Sequence, residues 1–178
     1  MEILIVGYGK MGKTIEALAR DKGHTIVARI DSEEDWKLHR EKIGSASVAI
    51  EFSLPSAAAQ NIRKCFGMGL PVVSGTTGWD DDLQAVRQEC INGDHTLFVA
   101  SNFSIGVNIF FRMNRYLAEI MDKFDGYNVS IDETHHLQKL DAPSGTAKSL
   151  AYDLIKRIGR KQSWKSGREA GKDDVRID

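Results

Sequence analysis

The sequence predicts an α/β fold in which a Rossmann-type, doubly wound parallel sheet is followed by a smaller α+β domain. Short runs of apolar, mostly β-branched residues alternate with helical stretches through residues 1–104. A glycine-rich turn follows the first run, and a long apolar helix replaces the alternation after residue 104. Continuously apolar strands separated by helices are typical of a parallel sheet that is covered on both faces.

The first predicted domain covers residues 1–104. Its strands are expected at 2–6, 25–30, 48–52, 71–74 and 96–100, and its helices at 11–19, 55–66 and 80–91. The first helix carries Met11, Ile15, Leu18 and Ala19 on one face. This spacing indicates an amphipathic helix.

The second predicted domain covers residues 105–178. Its first helix, at 105–124, carries an apolar stripe formed by Ile109, Met113, Leu117, Ile120, Met121 and Phe124. Residues 127–132 alternate between apolar and polar, which predicts a half-buried strand. Glu133 falls on the apolar side of that alternation, where a carboxylate needs a partner or a polar cavity. A further helix is expected at 144–158 and a last strand at 175–177.

The predicted sheet of this second domain is incomplete. It has one full strand and part of another, which are too few to bury the apolar stripe of the long helix. The sequence therefore predicts either a truncated chain or strands that a partner supplies. Open sheet edges of this kind favour association between chains.

The composition argues against several classes of protein. The 24 Lys and Arg nearly balance the 25 Asp and Glu, so neither nucleic acid nor an anionic membrane is expected as the main partner. No apolar run approaches the roughly 18 residues of a membrane span, and the start lacks the basic region of a signal peptide. The two cysteines have no metal or redox spacing. We therefore expect a cytoplasmic protein with reduced thiols.

The motif Gly7-Tyr-Gly-Lys-Met-Gly12 follows the first strand and opens the first helix. In this context its glycines permit a tight turn, the approach of a pyrophosphate to the backbone, and close packing of the helix on the sheet. The helix N-terminus would hold the anion, and Lys10 and Lys13 could add positive charge. The motif predicts a dinucleotide site, and a glycine-rich turn without a ligand is the alternative.

Asp31 lies at the end of the second predicted strand, nineteen positions after Gly12. Its carboxylate can accept hydrogen bonds from both ribose hydroxyls of NADH, whereas a 2′-phosphate would face a like charge. Arg29 is near in sequence but is expected to point to the other face of the strand. The sequence therefore predicts a preference for NADH over NADPH, and an ordinary strand-end turn is the alternative interpretation of Asp31.

Two more turns lie beyond the carboxyl ends of predicted strands, where this fold binds ligands. Gly75-Thr-Thr-Gly78 follows the fourth strand, and Ala100-Ser-Asn-Phe103 follows the fifth. Both offer backbone groups and small hydroxyl or amide side chains that suit a nicotinamide amide, although most such turns bind nothing.

The densest group of functional side chains lies between Glu133 and Thr146, where two histidines and a lysine fall within five residues. Ser144-Gly-Thr146 opens a helix and offers an anion site. Adjacent histidines on an extended segment point in opposite directions, so a shared zinc ion is not favoured. The group therefore predicts an anion site without a metal, and a polar surface loop is the alternative.

Four motifs, in this order and spacing, resemble the dihydrodipicolinate reductase family: the GxGxxG turn, GTTG, SNFSIGVN, and the segment ExHHxxKxDAPSGTA that starts at Glu133. The resemblance covers essentially the whole chain. It implies an NAD(P)H-dependent oxidoreductase that reduces 4-hydroxy-tetrahydrodipicolinate (dihydrodipicolinate) to tetrahydrodipicolinate in diaminopimelate and lysine biosynthesis. It also implies a nucleotide-binding domain, a substrate and oligomerisation domain, an active site between them, and a homotetramer.

The resemblance also implies a role for individual residues. His135 would be the acid/base residue, Lys139 the proton donor, and His136 a substrate contact. A substrate carboxylate would be bound by Ser144, Gly145 and Thr146. The adenosine and pyrophosphate would be held by Gly7, Tyr8, Gly9, Lys10, Met11, Gly12 and Asp31. The nicotinamide would be held by Gly75, Thr76, Thr77, Ala100, Ser101, Asn102 and Phe103.

Two other interpretations stay open at this point. Another Rossmann oxidoreductase of amino-acid metabolism, such as a relative of aspartate or homoserine dehydrogenase, would share the glycine-rich turn but has no reason to carry the last motif. A truncated, inactive NAD-binding module is the second alternative, because members of the family are longer and continue with further strands. Binding of NADH without turnover would select the module.

Overall fold

The computed structural model describes residues 1–135 and 142–178. Its backbone contacts divide the chain into two compact units, Met1–Ser101 and Asn102–Asp178. The first unit has an apolar cluster on each face of its sheet, and the second unit has a separate cluster of its own.

The first unit is built on a five-stranded parallel sheet in the order β2-β1-β3-β4-β5. The strands are β1 (Glu2–Val6), β2 (Thr25–Ile30), β3 (Val48–Glu51), β4 (Val72–Ser74) and β5 (Leu97–Val99). The helices are α1 (Lys10–Asp21), α2 (Glu33–Leu38), α3 (Arg40–Ile43), α4 (Pro55–Gly67) and α5 (Asp80–Asn92). Because β2 and β3 flank β1, the strand order reverses there, and doubly wound folds bind ligands beyond the carboxyl ends of the strands at such a point.

The central strand β1 shows why the sequence forms this sheet. Ile3, Leu4, Ile5 and Val6 are all buried, because other elements pack on both faces of the strand. Leu4 and Val6 join the cluster on one face, and Ile3 and Ile5 join the cluster on the other, as the two-residue period of a strand requires. The predicted doubly wound parallel sheet is confirmed.

The sequence-based prediction lacks the two short helices α2 and α3. The Ser32 side chain accepts a hydrogen bond from the N–H of Asp35, whose carboxylate accepts one from the N–H of Ser32, and this capping box starts α2. The buried Trp36 and Ile43 attach both helices to the core. The spacing of the serine and the aspartate is the sequence signal that locates α2.

The face of α1 that packs on the sheet differs from its predicted apolar stripe. Met11 and Leu18 are 48% and 55% exposed, whereas Gly12, Glu16 and Ala19 are buried. Small side chains let the helix lie close to the strands, and the buried carboxylate of Glu16 is paired with arginines. Apolar spacing therefore indicates this face only in part, because Ile15 and Ala19 pack against the core as predicted, whereas Met11 and Leu18 do not.

The second unit combines a long helix, α6 (Ile105–Met121), with a three-stranded parallel sheet in the order β6-β8-β7. The strands are β6 (Ser130–Ile131), β7 (Ser163–Ser166) and β8 (Asp174–Ile177), and helix α7 (Gly145–Ile155) lies between β6 and β7 in the chain. Ala118, Ala151 and Val175 are buried in the core that α6, α7 and β8 share. Within the described ranges, no helix is both long enough and apolar enough to cross a membrane.

The second sheet differs from its prediction in two strands. The strand expected at 127–132 is limited to the two residues of β6, and the tail predicted as a loop contains β7, whose sequence Ser-Trp-Lys-Ser has a single apolar residue. The strand expected at 175–177 is confirmed as β8. The apolar stripe of α6 is exposed, with Ile109, Met113 and Leu117 each more than half accessible, as expected for a small sheet.

Candidate functional site

A cavity of about 460 Å³ lies at the carboxyl ends of β1, β2 and β3 in the first unit. We call it the glycine-turn cavity. Its lining includes Gly7, Gly9, Asp31, Trp36, Ser53 and Asn61. The cavity therefore occupies the point where the strand order reverses and where this fold binds ligands.

Steric contacts give each glycine of the turn a different role. Gly7 has a φ of +91°, and a Cβ on it would lie 2.1 Å from the carbonyl oxygen of Phe52. A Cβ on Gly12 would lie 2.2 Å from the carbonyl oxygen of Gly7. A Cβ on Gly9, by contrast, would have no described atom within 4 Å. The first and third glycines thus serve the fold, and the second leaves the backbone at the start of α1 accessible from the cavity.

The cationic side chains of the turn lie outside the cavity lining. Lys10 and Met11 open α1 and are exposed. The ammonium group of Lys13 lies 5.9 Å from the centre of the Tyr8 ring. Neither lysine is among the residues that line the cavity, so any contribution from them comes from its rim.

Asp31 lies beside the glycine turn. Its Oδ1 accepts a hydrogen bond of 2.8 Å from the N–H of Tyr8. The carboxylate of Asp35 accepts hydrogen bonds from the N–H groups of Asp31, at 2.9 Å, and Ser32, at 2.8 Å. These bonds, that from Asp31 most strongly, hold the pKa of Asp35 below its usual range. Asp31 and Glu33 both line the cavity, so this side of it carries negative charge.

The carboxylate of Glu16 links α1 to the glycine turn and to β2. It accepts hydrogen bonds from Arg29 Nε at 2.6 Å, from the Tyr8 hydroxyl at 2.6 Å and from Arg20 Nε at 2.8 Å. These donors, with Arg29 foremost, hold the pKa of Glu16 far below its usual range. The Arg29 guanidinium also lies 5.4 Å from the centre of the Tyr8 ring. Arg29 and Asp31 therefore contact different parts of Tyr8, the ring and the backbone N–H, and Arg29, unlike Asp31, is not among the residues that line the cavity.

The Glu16 cluster predicts a pH-dependent contribution to stability. Because folding holds the pKa of Glu16 below its ordinary value of 4.5, the cluster stabilises the protein fully above that pH and loses this contribution as the pH falls below it. We expect Glu16→Gln to lower the free energy of unfolding by about 1–2 kcal/mol at neutral pH, because both arginines are partly exposed, and by less at about pH 3. Urea unfolding at both pH values checks this, with exposed Glu34→Gln as the control. An equal loss at both pH values would contradict it.

The segment after β3 belongs to the site although sequence reasoning did not identify it. Glu51 is fully buried at the end of the strand, and Ser53 lines the glycine-turn cavity. Asn61, which also lines the cavity, donates a hydrogen bond of 3.1 Å to the Ser53 hydroxyl oxygen. The sequence signal is an acidic residue with a nearby serine at the carboxyl end of a predicted strand.

The predicted turn at Gly75–Thr77 exposes only part of its polar groups. Thr76 is buried, and its hydroxyl donates a hydrogen bond of 2.8 Å to Glu51. Thr77 is exposed. The Thr76 side chain therefore belongs to the framework of the turn, while the Thr77 side chain is open to solvent.

The predicted turn at Ala100–Phe103 spans the division between the two units. In the first unit, the N–H of Ala100 donates to the carbonyl oxygen of Ser74 at 3.2 Å, which attaches the turn to β4. In the second unit, Oδ1 of Asn102 accepts a bond of 2.8 Å from the N–H of Ser104, the residue that caps α6. The Asn102 carboxamide oxygen is thus engaged in starting that helix.

A second cavity, of about 430 Å³, lies within the second unit. We call it the α7 cavity. Its lining includes Phe110, Asn114, Glu133, His135, Ser144 and Thr146. Ser144 Oγ accepts a hydrogen bond of 3.0 Å from the N–H of Ala147 and caps α7. Gly145 is exposed, and a Cβ on it would meet no described atom within 4 Å, so the first turn of α7 is open to approach.

Glu133 has the partners that its position in the sequence requires. Its Oε1 accepts a hydrogen bond of 2.7 Å from the N–H of Ser144, and its Oε2 lies 3.6 Å from Nδ1 of His135. This carboxylate therefore links His135 to the start of α7. His136 and Lys139 lie outside the described residues. In the part of the chain that the structure describes, no group of three or more His, Cys, Asp or Glu could hold a metal ion.

Comparison with sequence families gives two matches. Residues 1–103 match the family described as "Dihydrodipicolinate reductase, N-terminus". Residues 106–178 match the family described as "Dihydrodipicolinate reductase, C-terminus". The two matches together account for nearly the whole chain.

Individual relatives agree with these matches. The chain is 45% identical over 177 residues to the 4-hydroxy-tetrahydrodipicolinate reductase of Christiangramia forsetii, covering 99% of this chain and 73% of the relative. It is 34% identical over 164 residues to the enzyme of that name from Staphylococcus epidermidis, covering 89% of this chain and 65% of the relative. The chain thus spans about two thirds to three quarters of the length of these relatives.

A solved structure shares the fold. The dipicolinate-bound dihydrodipicolinate reductase from Paenisporosarcina sp. TG-14 aligns with a TM-score of 0.70 and 24% sequence identity, covering 99% of this chain and 78% of that one.

Proposed function

The chain belongs to the dihydrodipicolinate reductase family, which consists of NAD(P)H-dependent oxidoreductases, and we propose that it reduces 4-hydroxy-tetrahydrodipicolinate to tetrahydrodipicolinate in diaminopimelate and lysine biosynthesis. The reduced nicotinamide supplies the hydride of this reaction, one proton is taken up, and water leaves the cyclic substrate. The observation that carries the proposal is the glycine-turn cavity, in which Gly9 is open to a ligand between two glycines that the fold requires.

The adenosine and pyrophosphate are assigned to Gly7–Gly12 and Asp31. The accessible backbone at Gly9 lies at the N-terminus of the twelve-residue helix α1, whose dipole favours an anion. Asp31 is held beside the turn, where its carboxylate can accept hydrogen bonds from ribose hydroxyls. The nicotinamide is assigned to Gly75–Thr77 and Ala100–Phe103, with Thr77 as the exposed hydroxyl.

The charge around this cavity favours NADH over NADPH. Asp31 and Glu33 line the cavity, so a 2′-phosphate would approach two carboxylates. Arg29 is engaged by Glu16 and stacked on Tyr8, which removes it as a phosphate ligand. We expect kcat/KM to be about tenfold higher with NADH, because one unfavourable contact between like charges of about 1.4 kcal/mol gives that ratio. Steady-state kinetics with both cofactors check this, and a preference for NADPH would overturn it.

The substrate is assigned to the α7 cavity. A cyclic dicarboxylate needs an anion site, and Ser144–Thr146 offer the N–H groups at the start of α7. His135 borders the same cavity and is assigned as the acid/base residue, with the Glu133 carboxylate 3.6 Å from its Nδ1. The roles of Lys139 as proton donor and of His136 as a substrate contact rest on the family resemblance. The exposed stripe of α6 supports self-association of the chain, as in the homotetramer that the resemblance implies.

Oxidation of NADH, driven by freshly generated dihydrodipicolinate synthase product, tests the proposal. Turnover that depends on both the cofactor and the cyclic substrate supports it. Retained NADH binding without any turnover would instead identify the chain as a dinucleotide-binding module.

A further inference from the structure

Glu51, at the end of β3, is a fully buried carboxylate that the proposed chemistry does not use. A buried carboxylate is costly unless hydrogen bonds satisfy its oxygens. Four neutral donors do so here. Oε1 accepts from the Ser53 N–H at 3.0 Å, the Ser53 hydroxyl at 2.5 Å and the Thr76 hydroxyl at 2.8 Å, and Oε2 accepts from the Ser74 hydroxyl at 2.5 Å. Three of the four bonds therefore converge on one oxygen.

These donors connect two separate parts of the first unit. Ser53 lines the glycine-turn cavity, and Thr76 lies in the turn assigned to the nicotinamide. The Ser53 N–H also donates to Thr76 Oγ1 at 2.8 Å, which closes a triangle with Glu51. The hydroxyl proton of Thr76 goes to Glu51, so the carboxylate sets the orientation of that side chain.

Close packing makes the arrangement rigid. A Cβ on Gly7 would lie 2.1 Å from the Phe52 carbonyl oxygen, and a Cβ on Gly75 would lie 2.2 Å from the Phe52 ring. Both glycine-containing turns therefore pack directly against Phe52, the residue that follows Glu51. The N–H of Gly75 also donates to the Glu51 carbonyl oxygen at 2.9 Å. The segment from Glu51 to Ser53 therefore fixes the two turns relative to each other.

We propose that Glu51 is a positioning residue for the nicotinamide. Its carboxylate binds Thr76 and so holds the Gly75–Thr77 turn in a fixed position relative to the glycine-turn cavity. The inference rests on the proposed function, because it requires a dinucleotide whose nicotinamide contacts that turn. Hydride transfer depends on the placement of the nicotinamide carbon, and a misplacement of about 1 Å costs about 100-fold in rate. The adenosine end has further anchors, since Asp31 accepts a hydrogen bond from the Tyr8 N–H and Asn61 donates one to the Ser53 hydroxyl oxygen.

The informative substitution is Glu51→Met. It keeps the length of the side chain but removes both acceptor oxygens, so the Thr76 hydroxyl has no carboxylate to donate to. Ser74→Ala is the matched control, because it perturbs the same buried network through Oε2 and leaves the three bonds to Oε1 in place. Thr76→Val is a second test that retains Glu51 and removes only the hydroxyl that couples it to the turn.

Binding is measured with NADH and with ADP-ribose, which lacks the nicotinamide. With Glu51→Met, we expect the Kd of NADH to rise about tenfold, that of ADP-ribose to change less than about twofold, and kcat to fall about 10- to 100-fold. Thr76→Val should reproduce this pattern, and the double variant should be no worse than either single one. Ser74→Ala should leave both Kd values within about twofold, although urea unfolding shows a comparable loss of stability.

The outcomes separate the inference from the proposed function. A wild-type chain that does not bind NADH would contradict the proposed function itself. A wild-type chain that binds NADH, with an unchanged ratio of the two Kd values in both Glu51→Met and Thr76→Val, would overturn the positioning role. Equal effects of Glu51→Met and Ser74→Ala on the ratio would also overturn it, because the carboxylate would then contribute only to the stability of the core. If Glu51→Met does not fold, Thr76→Val decides alone.

Discussion

Replacing Lys139 by alanine is expected to lower kcat by about 100- to 10,000-fold, because reduction of the cyclic substrate needs a proton as well as a hydride. The ammonium group is assigned to deliver that proton, and Lys139 is not among the residues assigned to the dinucleotide. The Kd of NADH should therefore change less than about twofold. Stopped-flow turnover and fluorescence titration of NADH measure the two quantities on the same variant.

The matched control for Lys139→Ala is Lys156→Ala. Lys156 is exposed at the end of α7, so its removal changes the net charge of the unit equally without touching the α7 cavity. We expect its kcat to stay within about twofold of wild type. Near-wild-type turnover of Lys139→Ala would remove this lysine from the mechanism and would leave His135 as the remaining candidate for the proton transfer.

Replacing Gly9 by aspartate is expected to abolish dinucleotide binding while the protein stays folded. Gly9 has a φ of −74°, which other residues adopt, and its Cβ position is open. The new carboxylate would face the pyrophosphate where the N-terminus of α1 favours an anion. At a separation of roughly 5 Å and an effective dielectric constant of about 20, two like charges repel by about 3 kcal/mol. The Kd of NADH should therefore rise by at least about 100-fold.

Gly126→Asp is the control for this substitution. Gly126 is exposed in the second unit, and a Cβ there would also meet no described atom within 4 Å. The control adds the same charge at a site that is equally open but does not belong to the glycine turn. We expect it to leave the Kd of NADH within about twofold. If Gly9→Asp binds NADH as tightly as Gly126→Asp does, the pyrophosphate does not lie at the glycine turn.

Local rules explain what the sequence predicts well. The strands at Glu2–Val6 and Thr25–Ile30 have the predicted bounds, because their apolar residues are continuous and each is followed by a turn. The roles of Gly7 and Gly12 also follow from local sterics, and the carbonyl contacts at these glycines bear them out. Features of this kind depend on neighbours within one strand–turn–helix unit, which a single sequence displays directly.

Long-range polar contacts explain what it misses. Glu51 bonds Ser74 and Thr76, which are 23 and 25 positions away, so no local pattern reports the network. The hydrogen bond from Arg29 to Glu16 similarly spans 13 positions. From the sequence alone, Glu51 cannot be distinguished from an ordinary polar residue at the end of a strand, because its hydrogen-bond donors are known only from the structure.

The second sheet is harder to predict for a related reason. β7 pairs with β8 so that Ser163 lies opposite Asp174 and is bonded to it, and polar pairing replaces the apolar alternation that marks most strands. Such a strand becomes recognisable only once its partner is known. Glu133 is an exception in this unit. Its place on the apolar side of an alternating segment predicted that its carboxylate needs a partner or a polar cavity, and it contacts the Ser144 N–H and His135.

The family matches decide against a different Rossmann oxidoreductase of amino-acid metabolism, since both segments of the chain match the same family. An inactive dinucleotide-binding module remains as the alternative to be separated by experiment.

The most direct test measures the rate of NADH oxidation by the purified chain while dihydrodipicolinate synthase generates the cyclic substrate in the same assay. We predict a rate that is proportional to the amount of chain, that vanishes when either NADH or the cyclic compound is omitted, and that Gly9→Asp eliminates. A chain that retains tight NADH binding but leaves the cofactor unoxidised at every concentration of the cyclic compound would contradict the reductase assignment.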